Sequence, residues 1–209
     1  MSYKHEFIAK FGSPNHIDRL ATGDDPGGRV AIATKHPDKH HMFLNDPSER
    51  VRQVVSSSTK NKAHLDHLAN DSSDLVRANV VRHGHKDHLD KLSNDKHWYV
   101  LSAVAKHGHP EHLNKMVDHP HEIVRQEVAA KGVGHDKYVN DQNSMVRQTV
   151  AENGSEHHRA ILANDHDVNV RMVVAKRSED RGTLEKLKAD PHPDVARHAK
   201  RHSADLGFY

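Results

Sequence analysis

The chain has 209 residues, no cysteine and nearly balanced charge, with 31 Lys and Arg against 29 Asp and Glu and a formal net charge of +2. No disulfide framework is open to it, no apolar run reaches the ~18 residues of a membrane span, and the opening MSYKHEFIAKFG lacks the apolar core of a secretory signal. A cytoplasmic protein with no membrane partner is expected, and balanced charge gives no general attraction to nucleic acid. Leu, Ile, Val and Phe supply only 43 residues, mean hydropathy is −0.88, and His reaches 23. A single round core needs more apolar mass, so the composition favours an elongated repeat architecture in which each layer buries a narrow stripe.

In chain order, Phe7, Ile8 and Phe11 predict an N-terminal cap over residues 1–12. One pattern then recurs about every 24 residues, aligned on Val30, Val51, Val76, Val100, Val124, Val146, Val170 and Val195. Apolar residues follow the valine at four and five positions, as in Val76/Val80/Val81 and Val124/Val128/Ala129, which is one face of an α-helix. Each helix is expected to start near an Asp five residues before its valine (Asp25, Asp46, Asp71, Asp95, Asp141, Asp165, Asp190, with Asp118 six before). Gly84, Gly108, Gly132 and Gly154 mark helix ends, where glycine takes a left-handed conformation. Between these helices lie shorter apolar segments such as Leu65/Leu68, Leu89/Leu92, Leu113/Met116 and Leu184/Leu187, each long enough for one or two turns of α or 3-10 helix. A unit of this size cannot bury its stripe alone, so neighbours must stack into a single all-α solenoid domain of about eight units over residues 1–209. The last unit weakens its stripe to Val195/Ala199/Lys200, and 204–209 reads as a tail.

The segments LANDSSDLVRANVVRHG, LANDHDVNVRMVVAKRS and LKADPHPDVARHAKRHS follow L-x-x-L-A-x-D-P-x-x-x-V-R-x-x-V-A-x-x-G. This closely resembles the leucine-rich repeat variant, a relative of HEAT and Armadillo repeats, over about residues 13–203. The resemblance implies a right-handed α-solenoid of alternating α and 3-10 helices. Founding members of that family carry a Cys-ligated iron–sulfur cluster before the repeats, a feature that a chain without cysteine cannot have. No cofactor is expected.

The residue after the valine is Arg52, Arg77, Arg125, Arg147 or Arg171. Such a ladder can read phosphates, which makes nucleic acid a possible partner, or pair within the fold with the Asp ladder of equal period. The turns HGHKDHL (His83, His85, His88) and HGHPEHL (His107, His109, His112) place imidazoles close enough in sequence to share a Zn or Ni ion, although no carboxylate or thiolate spacing completes a known site. HExxH, GxSxG, GxxxxGK[ST] and GxGxxG are absent, so no catalytic constellation is identified and no enzyme is expected. One unit breaks the pattern with Trp98, Tyr99 and Leu101, the last in the place of Arg. Either this layer repacks locally, or rigid aromatic rings form an anchor for a protein partner. The sequence therefore points to a non-enzymatic protein-interaction scaffold.

Overall fold

The computed structural model describes residues 3–208; Met1, Ser2 and Tyr209, at the ends of the expected cap and tail, lie outside the described residues. Every regular element among the described residues is helical. Helix α1 (Tyr3–Phe11) is followed by alternating shorter and longer helices. These are α2 (Pro14–Thr22) and α3 (Pro26–Lys35), a 3-10 helix (Pro37–Phe43) and α4 (Glu49–Ser58), α5 (Lys62–Leu68) and α6 (Asp74–Arg82), and α7 (Lys86–Leu92) and α8 (Trp98–His107). The second half continues with α9 (Pro110–Met116) and α10 (Glu122–Ala130), α11 (His135–Tyr138) and α12 (Ser144–Asn153), α13 (Glu156–Leu162) and α14 (Val168–Arg177), and α15 (Arg181–Lys188) and α16 (Pro193–Asp205). The fold is the all-α solenoid that the repeat pattern predicts. Seven of the eight short helices are α, and one is 3-10.

The chain divides into two compact units, Met1–Val104 and Ala105–Tyr209, with the boundary inside α8. In the first unit α3 packs on α4 and α4 on α6, while α1 and α2 close against α3. In the second, α10, α12, α14 and α16 follow one another in the same way, with α15 against α16. The stripe is what joins neighbours: Val51, Val76, Val100, Val124, Val146, Val170 and Val195 are all 0% exposed. Leu65, Leu68, Leu89, Leu113, Leu184 and Leu187 of the short helices are buried beneath them. Each such side chain contributes about 1.5–3 kcal/mol relative to remaining in water.

Three local expectations need correcting. From α4 to α16 the aligned valine is the third residue of its helix, so the cap lies three residues before it, not at the Asp five before. Side chains of Ser73, His121, Asn143 and Asp167 accept backbone N–H groups there. Gly84, Gly108 and Gly132 do take φ of 73°, 75° and 82°, whereas Gly154 caps α12 at φ −78°. In the first repeat the valine register is occupied by Gly28, and Val30 lies two positions on: Arg29, next to Gly28, makes the bonds that Arg52 makes next to Val51. A Cβ on Gly28 would stand 2.9 Å from Leu20 Cδ2, so glycine lets α2 close on α3. In α1 the buried residue is Ala9, while Phe7 and Phe11 remain exposed and pack on each other with ring centroids 5.3 Å apart. At the other end the tail turns back, with Phe208 N–H donating to Ser203 O over 2.9 Å.

Candidate functional site

The Arg and Asp ladders meet. Arg29–Asp46, Arg52–Asp71 and Arg77–Asp95 in the first unit, and Arg125–Asp141, Arg147–Asp165 and Arg171–Asp190 in the second, form forked pairs with Nε–Oδ2 distances of 2.6–2.7 Å. The second prong, Nη2 to Oδ1, is 2.9–3.1 Å. Each Nη1 donates to a carbonyl six residues back, such as Asp71 O from Arg77 (2.8 Å) and Asp141 O from Arg147 (2.7 Å). Each Asp also accepts the N–H two residues on, as Asp165 does from Asp167 (2.8 Å). One carboxylate thus shapes the turn before its own long helix and fixes the guanidinium of the preceding one. Hydrogen bonding to the carboxylate raises each arginine above its ordinary pKa, against the cost of burial.

This placement corrects the reading of Arg52, Arg77, Arg125, Arg147 and Arg171 as partner-binding residues: their donors are committed inside the fold, and the side chains of the six pairs are at most 13% exposed. Arg29, missing from the sequence ladder, belongs to it because its register is set by Gly28. At the Asp register of the following repeat stands His119, whose Nδ1 accepts His121 N–H over 3.1 Å as an Asp would. Asp118, the residue expected there, pairs with Lys137 instead.

Four histidines serve as donors to carbonyls at helix ends. His36 and His83 donate to Ala9 O and Ser56 O (both 2.7 Å), and His40 and His135 to Ala33 O and Ala129 O (both 2.8 Å). These are the orphan acceptors that every helix leaves at its C-terminus. His83 and His88 therefore turn to different partners, His88 Nε2 lying 2.7 Å from Asp66 Oδ1. His85 stacks edge-on against His88, His109 does so against His112, and His107 is exposed. The nearest approach to a cation cluster in the first unit is Asp66, Asp87 and His88, with ligand atoms within 4.8 Å of one another. Its cation is Lys62, whose Nζ lies 2.9 Å from Asp66 and 2.5 Å from Asp87 and holds both carboxyls below their usual range.

A serine–histidine–aspartate chain also occurs in the second unit. Ser155 Oγ is 2.9 Å from His158 Nδ1, and His158 Nε2 is 2.8 Å from Asp136. Backbone Ser155 N–H already donates to that Nδ1 (3.1 Å), completing a capping box on α13. Ser13 and His16 make the same side-chain contact at the start of α2 (3.0 Å), so the Ser–His pairing recurs at helix starts.

At the break in the Arg ladder, Leu101 is only 5% exposed, so it is a core residue and not part of a contact surface. Trp98 and Tyr99 are half-buried, packed edge to face at 5.7 Å, with Trp98 stacked on His97 at 5.8 Å. Arg82 Nη2 donates to the Tyr99 hydroxyl over 3.0 Å. Tyr99 immediately precedes its buried valine, and the same position holds Leu75 in the first unit and Ile123 and Met145 in the second. Leu75 is 40% and Met145 51% exposed. This recurring apolar register is visible in the sequence as the pairs LV, YV, IV and MV, but the adjoining buried valine hides it from a simple periodicity reading.

Repeated helix pairs locked by forked Arg–Asp bonds define the protein as an α-helical repeat solenoid. Its fold is similar to that of a solved leucine-rich repeat variant described as a novel repetitive structural motif, with a TM-score of 0.74 at 20% identity over 94% of this chain and 81% of that one. A designed armadillo repeat protein in complex with the peptide (KR)4 aligns over 99% of this chain and 90% of its own at 17% identity, but with a TM-score of 0.26. No protein-family model and no curated protein matches the chain. No helix among the described residues is long and apolar enough to cross a membrane.

Proposed function

We propose that the protein is a non-enzymatic interaction scaffold that holds a protein partner against the apolar register of its long helices, with Trp98 and Tyr99 as the anchoring rings. What carries this reading is that, within the first unit, exposed Leu75 and half-buried Tyr99 both stand directly before buried valines. Single exposed apolar residues are ordinary on protein surfaces, but a repeat that keeps them at one position offers a partner a regular set of contacts. Trp and Tyr bring large rigid area at low entropy cost, and Arg82 already orients the Tyr99 hydroxyl. A nucleic-acid partner is disfavoured because the ladder guanidinium groups are spent on carboxylates. A photo-crosslinking side chain at position 99 should capture one defined protein, which is then purified and titrated. Trp98→Ala should weaken its binding by about 2 kcal/mol while Lys96→Ala on the exposed turn changes little. Equal affinity of Trp98→Ala and the parent chain would refute the anchor.

A further inference from the structure

The last long helix carries a charged stripe that the scaffold does not use. His198, Arg201, His202 and Asp205 fall at i, i+3, i+4 and i+7 on α16, hence on one face of the helix. With Lys176, in the last turn of α14, they line a cavity of about 140 Å³. All five lining side chains are ionisable and none is apolar.

The cations of this cavity are uncommitted. Arg201 and Lys176 are exposed, and neither makes a hydrogen bond or ion pair among the described residues. In the same unit Arg125, Arg147 and Arg171 each grip an Asp, Arg159 holds Glu156, and Arg197 on the same helix holds Asp194. His202 adds an independent sign: its Nε2 is buried and has no hydrogen-bond partner. Buried polar atoms are nearly always satisfied in folded proteins, so a ring nitrogen left without a partner in a residue that lines a charged cavity has room for one more hydrogen bond.

We propose that this cavity is an anion site that takes a phosphate monoester. A planar guanidinium, a point-charge ammonium and imidazole N–H donors match the three terminal oxygens of such a group, and with Asp205 counted the set stays net positive. The volume equals that of about five waters, which suits one tetrahedral group. No Phe, Tyr or Trp side chain lines it. The proposal concerns α14 and α16 alone and is independent of the reading of Trp98 and Tyr99.

The test follows the ring signals of His198 and His202 by NMR in the full chain at fixed ionic strength, titrated with inorganic phosphate, with a phosphoserine peptide and with the same peptide unphosphorylated. Saturable shifts with phosphate and phosphopeptide, and none with the unphosphorylated peptide, are expected. A phosphopeptide that binds more tightly than phosphate identifies a modified protein segment as the source, and equal affinity, which makes the ester link irrelevant, overturns the monoester in favour of the free ion. Arg201→Gln and Lys176→Gln should each weaken binding about tenfold, while Arg197→Gln, whose parent side chain is engaged with Asp194, should leave it within about twofold. Arg201 and Lys176 make no bonds in the fold, so their replacement leaves folding intact. Absence of saturable shifts, equal loss in all three variants, or stronger binding of an oligoribonucleotide lacking a terminal phosphate would overturn the proposal.

Discussion

Arg147 and Asp165 show what a single rung contributes. Both side chains are 4% exposed, so removing one leaves the other charge buried without a counter-ion. Asp165→Ala should therefore cost about 3–5 kcal/mol in urea unfolding, whereas Arg197→Ala, at an exposed pair, should cost about 0–1 kcal/mol. The chain itself shows that the arginine register tolerates an apolar side chain, because Leu101 is buried there. A loss at Asp165 as small as that at Arg197 would mean that the ladder does not lock the repeats. The same residues set the acid response. Burial pushes Asp95, Asp141 and Asp190 upward, but Arg hydrogen bonds, backbone N–H donors and positive charge outweigh it and leave them below the ordinary carboxylate value. Their stabilisation is present above the unfolded value of about 3.9 and is lost as pH falls through the lower folded values. Burial first, and the neighbouring histidines His40, His41 and His67 second, lower His64; burial lowers His119. The stability they lend is complete above the unfolded value of about 6.5 and declines as pH falls from there toward the lower folded values. Ring NMR titration checks this directly, and a midpoint for either histidine at or above about 6.5 would remove that residue from the acid response.

Helix ends show how far an element can be read from its own residues. The valine stripe and the leucines of the short helices were legible because hydrophobic period is a local property. The caps were legible only in kind: DSSD, DKHW and DHDV offer several acceptors within four residues, and local chemistry does not say which one bends the turn. The structure assigns the first Asp to the turn and the preceding repeat's Arg, leaving the cap to a later residue. The histidines were unreadable for a different reason. The acceptor of His83 is a carbonyl 27 residues away, and nothing in HGH distinguishes a metal ligand from a carbonyl donor. Leu101 was misplaced because its neighbours at that register are charged, while its own shape suits the core. The turn between α10 and α11 gives the sharpest test of an element boundary. Gly132 and Gly134 have φ of 82° and 77°, but a Cβ on Gly132 meets nothing within 4 Å, while one on Gly134 would stand 2.7 Å from the Tyr138 ring. Tyr138 cannot retreat freely, since it is 1% exposed and its hydroxyl donates to Val117 O over 2.8 Å. Gly132→Ala should cost about 1–2 kcal/mol, the backbone penalty alone, and Gly134→Ala distinctly more. Equal thermal melts for the two variants would show that the tyrosine gives way.

Within each unit, long helices pack on the next in chain order, as α4 with α6 in the first unit and α12 with α14 and α14 with α16 in the second. Stability in such a chain adds up from each layer and its contacts with its neighbours, so damage to one layer should remain local. Leu68 of α5 and Leu187 of α15 are 0% and 1% exposed, and truncating either to alanine removes about 2–5 kcal/mol of packing. Hydrogen exchange read by mass spectrometry separates local from global opening. In Leu187→Ala the amides of α14, α15 and α16 should exchange faster while those of α4, α5 and α6 keep their protection. Leu68→Ala should give the converse pattern. Such locality requires that packing between nearest neighbours outweigh longer-range coupling, and the alternative is a chain that unfolds as one cooperative block. Uniform loss of protection from α4 to α16 in both variants would establish that block and refute local stability.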